Sequence, residues 1–182
     1  MPPSKGIQHE GATMRPMRRA KREVTDSEEL RAIVEGCRTV RLGASDDEGL
    51  FIVPLNFGYD WEVAAEDGQP RLTLWLHSAD AGRKADVFNA HGDAGVPVAI
   101  EMDIEGGVTM GDYSCAYSFA YRSIMGTGRI VPVTDPAGKL HGLERIMAHL
   151  APDAPVTFSP EAVNRVAVWR VDVGHFTGKH RA

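Results

Sequence analysis

Cysteine is scarce in this chain, and long apolar runs are missing. The 182 residues include 2 cysteines, Cys37 and Cys115, which can form at most one bridge, so a disulfide scaffold is excluded. No run approaches the roughly 18–20 uninterrupted apolar residues of a membrane-spanning helix. The composition, 43% apolar and 25% charged, excludes a collagen-like or wholly disordered chain. The length fits one globular domain.

Familiar enzyme signatures are also absent. There is no phosphate-binding loop of the G-x-x-x-x-G-K-[ST] type and no G-x-G-x-x-G after a strand, so nucleotide binding of those kinds has no support. The chain has no C-x-x-C, H-E-x-x-H or G-x-S-x-G, the marks of redox pairs, zinc proteases and serine hydrolases. His141 and His149 are poorly spaced for chelation on a predicted helix, so we expect no metal site.

The net charge of −5 conceals two parts of opposite sign. Residues 1–22 carry +5 and the remainder −10. A basic head can bind nucleic acid or a membrane, but a solvated terminus is the simpler explanation, and an acidic body argues against nucleic-acid binding. We expect a flexible leader over 1–17 and one domain over 18–182. Because the head lacks the roughly 7–15 apolar residues of a signal peptide, we expect a cytoplasmic protein that does not associate with membranes.

Hydrophobic periodicity predicts a mixed fold. Helical spacing predicts helices over 27–37 and 80–90 and a third that begins at Asp135-Pro136. Alternation predicts six strands, which begin near Val40 and cover 50–59, 71–77, 96–102, 117–133 and 165–173. Strands joined mainly by hairpins, with helices between them, indicate an α+β fold built on an antiparallel barrel with peripheral helices.

One segment of interest lies where a strand passes into a helix. The first N–H groups of a helix lack internal partners, and an anion placed there meets these donors and the positive end of the helix dipole. An imidazole, a hydroxyl and two cations stand at this point: His77, Ser78, Arg83 and Lys84. A phosphate pocket and an ordinary helix N-cap formed by Ser78 or Asp80 explain the pattern equally well.

Two further segments break the pattern of their strands. Pro54 removes a hydrogen-bond donor, which predicts an edge that can face a flat ligand, and Asn56 offers both a donor and an acceptor. An ordinary edge strand explains these residues about as well. Arg122 places a cation in the middle of a long apolar strand. Facing a cleft, it would bind an anion or a planar ring system; on an outer face it would mean little.

In this order, the segments resemble the flavin-binding split-barrel proteins related to pyridoxamine 5′-phosphate oxidase, and most of all the branch that contains the nitroimidazole-resistance flavoproteins. The matching pieces are MRR (17–19), VPLNFGYD (53–60), LHSADAGRK (76–84), YRSIMGTGRI (121–130) and HFTGK (175–179). Each piece is short, and their order and spacing over residues 17–180 carry the resemblance.

The resemblance implies a six-stranded antiparallel split barrel with Greek-key topology that forms a homodimer and holds one FMN in each of two interface clefts. The residues along the isoalloxazine ring would be Pro54, Leu55, Asn56 and Phe57. Those around the phosphate and ribityl chain would be His77, Ser78, Ala79 and Lys84. Arg122 and Ser123 would approach the flavin from a neighbouring strand or subunit. His77 would also be the catalytic or substrate-contacting residue, and His175 and Lys179 would close the site.

The implied function is that of an FMN-dependent oxidoreductase, nitroreductase-like, acting on a small flat substrate. The alternative is a non-catalytic protein that carries a flavin, a deazaflavin or haem. A barrel that binds a plain apolar ligand is a third hypothesis. The basic phosphate pocket of true pyridoxamine-phosphate oxidases, built by arginines and lysines from separate strands, is not visible, which argues against oxidation of a B6 vitamer.

Overall fold

The protein, seen in a computed structural model, is described over residues 16–182, where strands and helices alternate irregularly along the chain. The strands are β1 (Glu23–Val24), β2 (Val40–Asp46), β3 (Gly49–Leu55), β4 (Gly58–Val63), β5 (Pro70–Ser78), β6 (Val96–Thr109), β7 (Ser118–Val133) and β8 (Ala167–Arg181). The α-helices are α1 (Ser27–Gly36), α2 (Arg83–Asn89), α3 (Pro136–Leu150) and α4 (Pro160–Arg165). The predicted leader, 1–17, lies outside the described residues except for its last two positions.

The strands form one antiparallel sheet whose two edges are joined by a very short piece of chain. Its order is β3-β2-β6-β7-β8-β5-β4, with β1 paired to β8. Only Asn56 and Phe57 separate β3, at one edge, from β4, at the other. Since consecutive Cα atoms are about 3.8 Å apart, these edges must lie within roughly 11 Å of each other. The sheet is therefore curled into a barrel, and the predicted α+β barrel is confirmed.

The number of strands differs from the six that the sequence predicts. The predicted strand over 50–59 is two strands, because the chain crosses from one edge of the sheet to the other at Asn56 and Phe57. The other strand that the sequence did not predict is the short β1, which pairs with the end of β8. Gly58 is required at the crossing, since a Cβ there would lie 2.3 Å from the backbone carbonyl carbon of Arg145 in α3.

A set of polar contacts holds the crossing in place. The ring nitrogens of His149, near the end of α3, lie 2.8 Å from the carbonyl oxygen of Phe57 and 3.1 Å from that of Glu35. Arg38 donates to the carbonyl oxygens of His149 and Leu150, which are acceptors left over at the end of α3. Asn56 in turn donates to the carbonyl oxygen of Arg38 at 2.8 Å. The ends of α1 and α3 are thereby tied to the point where the barrel closes.

Helices α1 and α3 begin where capping residues stand in the sequence. Asp26 accepts from the backbone N–H of Glu29 at 2.9 Å, and Asp135 accepts from that of Gly138 at 2.7 Å. Caps of this kind stabilise a helix by about 1 kcal/mol. Pro136 occupies the first turn of α3, where its missing N–H costs nothing. No helix in the described part of the chain is both long and apolar enough to cross a membrane.

Helix α3 covers one side of the barrel, and another side is left open. The main core fills the barrel, with Leu42, Leu74 and Val171 fully buried. A second cluster lies outside it, where α3 packs over β5 and β8. By contrast, Ile52 on β3 and Met125 on β7 are 70% and 60% exposed. The outer face of β3, β2, β6 and β7 is therefore where a ligand or a partner has access.

Candidate functional site

Ser78 and Lys84 meet at the end of β5, where the chain passes into α2. Lys84 Nζ donates a hydrogen bond to Ser78 Oγ, and Ser78 Oγ donates to the carbonyl oxygen of Ala79 at 3.0 Å. The N-cap of α2 is Gly82, with φ of +91°, and no side chain caps the helix. The N-cap explanation for Ser78 and Asp80 is therefore wrong. The lysine ammonium and the serine hydroxyl instead form a local hydrogen-bonded pair, in which the serine accepts from the lysine.

Lys84 is a partly buried cation. Its Nζ lies 5.6 Å from the centroid of the Trp169 ring, a weakly favourable cation–π contact. Among residues 16–182, no carboxylate oxygen lies within 4.0 Å of it. Burial lowers the pKa of Lys84 from its ordinary value, since no neighbouring negative charge offsets the desolvation. An anion bound at Lys84 would supply that offset.

Arg83, next to Lys84, has a different role. Its Nε and Nη2 donate to the two carboxylate oxygens of Asp46 at 2.7 and 2.6 Å, and Nη2 also donates to the carbonyl oxygen of Gly49. Hydrogen bonds from Arg83 hold the pKa of Asp46 below its ordinary value. The guanidinium also lies 4.5 Å from the centroid of the Phe51 ring. Arg83 thus fastens the β2–β3 hairpin and is not available as the second anion ligand that the sequence suggested.

His77 and Ser78 are adjacent in sequence, but their side chains point in different directions. Successive side chains of a strand point to opposite faces; His77 is exposed on the outer face, whereas Ser78 turns towards Lys84. His77 lies in register with Val168 of β8. Within the described chain its ring makes no hydrogen bond, so it remains free to contact a ligand. Ala79 is exposed and contributes its carbonyl oxygen.

The four predicted residues of the β3 region divide between surface and core. Pro54 is exposed on β3, which is an edge strand as its proline predicts. Leu55 is partly buried against the core. Asn56 is exposed, but its amide nitrogen is engaged with Arg38. The side chain of Phe57 is fully buried, and its carbonyl oxygen faces His149. Pro54 and the free backbone edge of β3 are the parts a ligand can reach.

An open trough of about 610 Å³ lies across the outer face of the barrel. Its lining includes the small or apolar side chains of Gly43, Ile52, Ala99, Met125, Gly126 and Thr127. Ser123, His175 and Lys179 also line it. At Gly126 a Cβ would lie 2.5 Å from the carbonyl oxygen of His175, so the floor has no room for a side chain there. We call this feature the trough.

The arginine beside the trough is paired with two carboxylates. Arg41 Nη1 lies 2.9 Å from a carboxylate oxygen of Glu101 and 2.7 Å from one of Asp103. The hydrogen bonds that Arg41 donates to Asp103 and Glu101 raise the pKa of Arg41. All three side chains are substantially exposed to solvent, so their pairing contributes little to stability. It does leave the trough without an unbalanced charge at Arg41.

Arg122 and Ser123 are far from Ser78 within one chain. They are adjacent on β7 and point to opposite faces, and it is Ser123 that lines the trough. Arg122 lies in register with His180, near the end of β8, whereas Ser78 lies in register with Ala167, at its start. At about 3.3 Å per residue, these positions are roughly 40 Å apart along the strand. One ligand can contact both clusters only if they come from two copies.

A polar cluster outside the predicted site joins α3 to the barrel. Asp60 on β4 accepts hydrogen bonds from Trp75 Nε1 at 2.7 Å and from His141 at 2.8 Å, and Arg145 lies 3.0 Å away. Burial raises the pKa of Asp60, but these partners outweigh that effect, so its pKa lies below the ordinary value. The sequence alone does not indicate this cluster or the place of Trp169 beside Lys84. No local pattern indicates such long-range contacts.

Fold and site together define a split-barrel protein with an uncovered outer face and a lone cation at the end of one strand. The sequence matches the pyridoxamine 5′-phosphate oxidase family model over residues 26–180. The chain belongs to this family. No curated protein matches the chain significantly.

Solved structures share the fold. A candidate 5-nitroimidazole antibiotic resistance protein from Bacteroides thetaiotaomicron is 29% identical with a TM-score of 0.68, over 87% of this chain and 86% of that one. The flavocytochrome Anf3 from Azotobacter vinelandii is 20% identical with a TM-score of 0.68, over 92% and 72%. The FAD and heme binding protein from Mycobacterium smegmatis is 16% identical with a TM-score of 0.66, over 87% and 73%. The last two similarities show the fold alone.

Proposed function

We propose that this protein is an FMN-binding oxidoreductase in which Lys84 and Ser78 hold the phosphate of the cofactor. The observation that carries the proposal is the partly buried Lys84, which has no carboxylate near it and donates to a serine hydroxyl. A phosphate monoester satisfies a cation and a hydroxyl at once through charge-assisted hydrogen bonds. Membership of the pyridoxamine 5′-phosphate oxidase family supports a flavin as the cofactor, and so do the names of two structural relatives, a flavocytochrome and an FAD and heme binding protein.

The edge strand β3 suits the flat part of such a cofactor. Its free edge offers backbone N–H and C=O groups that are not used by β2, and unpaired edge groups readily bind a further partner. At Pro54 the edge has no donor, and the pyrrolidine ring offers a flat apolar contact. Arg83 holds the β2–β3 turn through Asp46 and Gly49, so the beginning of the edge strand is fixed before any ligand binds. In this arrangement β3 positions the isoalloxazine ring, and Lys84 and Ser78 position the phosphate.

The reaction we propose is reduction of a small flat substrate such as a nitroaromatic. Bound FMN supplies the redox chemistry, while the protein provides binding, orientation and exclusion of water. No nucleophile is needed, in keeping with the absence of hydrolase and protease motifs from the sequence. His77, exposed on the outer face and without an intramolecular partner in the described chain, is positioned to contact the substrate. The likeness to a candidate 5-nitroimidazole resistance protein supports this substrate class.

The active form we propose is a homodimer. The Ser78 and Arg122 clusters lie at opposite ends of β8, so neither copy alone brings them to one ligand. A two-fold axis relates unlike ends of two identical surfaces and can place them side by side. Each of two clefts would then take Lys84 from one copy and Ser123 from the other.

The test begins with the purified protein. Its absorption spectrum and the mass of any chromophore released on denaturation identify the cofactor, and FMN is the expected result. The flavin-free protein is then titrated with FMN, riboflavin and FAD; loss of the phosphate should weaken riboflavin binding by about tenfold or more. Equal affinity for FMN and riboflavin would refute the Lys84 assignment. Haem or a deazaflavin as the bound group would contradict FMN as the cofactor, and the activity assay would then decide between an enzyme and a carrier.

Activity is tested separately. The flavin should be bleached by a nicotinamide donor without oxygen and recover its colour when a nitroaromatic is added. A flavin that stays oxidised with both NADH and NADPH, or a reduced flavin that no nitroaromatic reoxidises, would contradict the proposed reaction and leave a flavin-binding protein.

A further inference from the structure

The hairpin between β6 and β7 extends beyond the rest of the sheet. The residues of β7 that precede Tyr121 do not pair with β8, and β2 pairs with β6 only over Arg41–Gly43. Residues 106–120 therefore form a two-stranded arm with no further neighbouring strand in the described structure. The sequence predicts a strand over 96–102 only; in the structure β6 continues to Thr109. Two-stranded ribbons are only marginally stable alone.

One face of this arm is apolar and exposed. Val108 and Phe119 stand directly opposite each other and are 63% and 43% exposed. Met110 and Tyr117 follow at the same spacing and are exposed too. The other face carries Gly107, Ala120, Thr109 and Ser118. Residues 106–120 contain one charged side chain, Asp112, in a body with a net charge of −10. Contiguous apolar patches on a soluble protein mark interaction sites.

A bulge sets the direction of the arm. The register shifts between Glu105 and Gly107, so that Gly106 is an extra residue on β6. Gly107 has φ of +92°, a conformation that glycine adopts without strain. At Gly106 a Cβ would lie 2.8 Å from that of Ala120. Bulges of this kind bend and twist a strand. This bulge directly precedes the cross-strand pair Val108 and Phe119, so it sets the direction in which their side chains point.

The apolar face of the arm and the trough lie on the same face of the sheet. Both belong to β7, on which Phe119 and Met125 stand an even number of residues apart and therefore on one face. They are separated by about 20 Å along the strand. An extended strand cannot fold this face onto itself, so the arm and the trough of one chain cannot cover each other.

We propose that the arm of one copy packs into the trough of a second copy of this chain, and the reverse. A two-fold axis that sets two such faces against each other places each arm over the opposite trough. The arm carries the large side chains Val108, Phe119 and Tyr117, whereas the trough floor is made of Gly43, Ala99 and Gly126. Large groups against small ones give the close packing of an interface core. Each arm then covers a wall of the partner's cleft, where Ser123 stands.

This inference rests on the homodimer proposed above but not on the identity of the cofactor. Its test is therefore the oligomeric state, measured by analytical ultracentrifugation at micromolar concentration with and without FMN. The arm variant carries Val108→Asp and Phe119→Asp. Its matched control carries Thr109→Asp and Ser118→Asp, the same charges on the neighbouring rung but on the opposite face. Circular dichroism verifies that each variant is folded.

A second pair of variants tests the trough without touching the arm. Ala99→Arg places a long side chain on the trough floor, and Val63→Arg places the same side chain on β4, at an exposed position of the other edge strand. Should the arm variant fail to fold, this pair decides.

The expected result is a wild-type dimer with or without FMN, controls that stay dimeric, and arm and trough variants whose dimer dissociation constant rises about a hundredfold or more. A wild-type monomer would overturn the inference, and so would a folded arm variant, or a folded trough variant, that dimerises as tightly as wild type. FMN binding is recorded in parallel. A dimer that assembles through its arms but binds no flavin would refute the proposed function alone.

Discussion

Replacing Lys84 by methionine tests the centre of the proposed site. Methionine keeps an unbranched apolar side chain beside Trp169 and removes the ammonium group. A charge-assisted hydrogen bond contributes about 1.5–3 kcal/mol, so the dissociation constant of FMN should rise about 10- to 150-fold. Riboflavin, which has no phosphate, should bind the variant and the wild type equally well. This difference between the two ligands isolates the contact with the phosphate.

The stability of the flavin-free variant provides an independent readout. Burial lowers the pKa of Lys84 in the folded state, so at neutral pH the protonated amine disfavours folding, and stability should rise as the pH approaches the unfolded value of about 10.4. Lys84→Met should therefore be at least as stable as wild type at pH 7. Arg83→Met should lose stability, because it removes the two guanidinium donors of Asp46 and leaves that carboxylate with the backbone N–H of Glu48.

The measurements are calorimetric titration with each flavin and chemical denaturation of the flavin-free proteins. An unchanged FMN affinity would refute the phosphate assignment. So would an equal loss of affinity for FMN and riboflavin, because that pattern would come from a distorted site and not from a lost phosphate contact.

Three further predictions concern the fold and the reaction. Gly58→Ala should destabilise the protein by about 1–3 kcal/mol or more, because the added Cβ would meet the backbone of Arg145 in α3; calorimetry should show a melting temperature lower by about 2–4 °C for each kcal/mol. Hydrogen bonds from partners such as His141 hold the pKa of Asp60 low against the effect of burial. The contribution of Asp60 to stability is therefore present above about pH 4 and is lost as the pH falls below that value. In denaturation at several pH values, the free energy of unfolding of Asp60→Asn should fall less steeply on the acid side than that of wild type. His77→Asn should keep the FMN affinity of wild type and lower turnover with a nitroaromatic, measured by stopped-flow reoxidation.

A specific experimental outcome would contradict each of these predictions. Gly43→Ala is the control for Gly58, since a Cβ there would meet only an ordinary contact at 3.5 Å; equal loss in both variants would argue against a clash with α3. An acid limb with the same slope in Asp60→Asn and wild type would show that another carboxylate dominates. Loss of FMN from His77→Asn would place this histidine in cofactor binding and not in the reaction.

The order of elements could be predicted because each depends on a local pattern. Asp26 and Asp135 begin helices as their side chains predict, and the alternation around Leu74 and Val171 is that of strands with one buried face. The crossing at Asn56 could not be predicted, because alternation continues through it while the chain changes edges. The predicted strand over 96–102 ends too early, because Gly106 and Gly107 form a bulge and the strand continues beyond them to Thr109.

The site was harder to predict because its contacts are distant in sequence. Arg83 and Lys84 are equivalent in the sequence, but Asp46 engages the first and leaves the second. The distance between Arg122 and Ser78 follows from the register of β8 with its two neighbours. No pattern in either segment carries that register. The family resemblance named both clusters, and only the topology shows that they belong to different ends of the barrel.

The closure of the barrel has a mechanical consequence. In the described structure β3 and β4 are the two ends of the sheet order, so the barrel has a seam joined by the covalent chain at Asn56 and Phe57 and not by a ladder of hydrogen bonds. The contacts of His149 and Arg38 act at this one end of the seam. The remaining length can widen without breaking any strand pairing. The barrel is therefore stiff at its closed end, near Asn56, and compliant along the rest of the gap between β3 and β4. This gap borders β3, the edge that we propose receives the flavin.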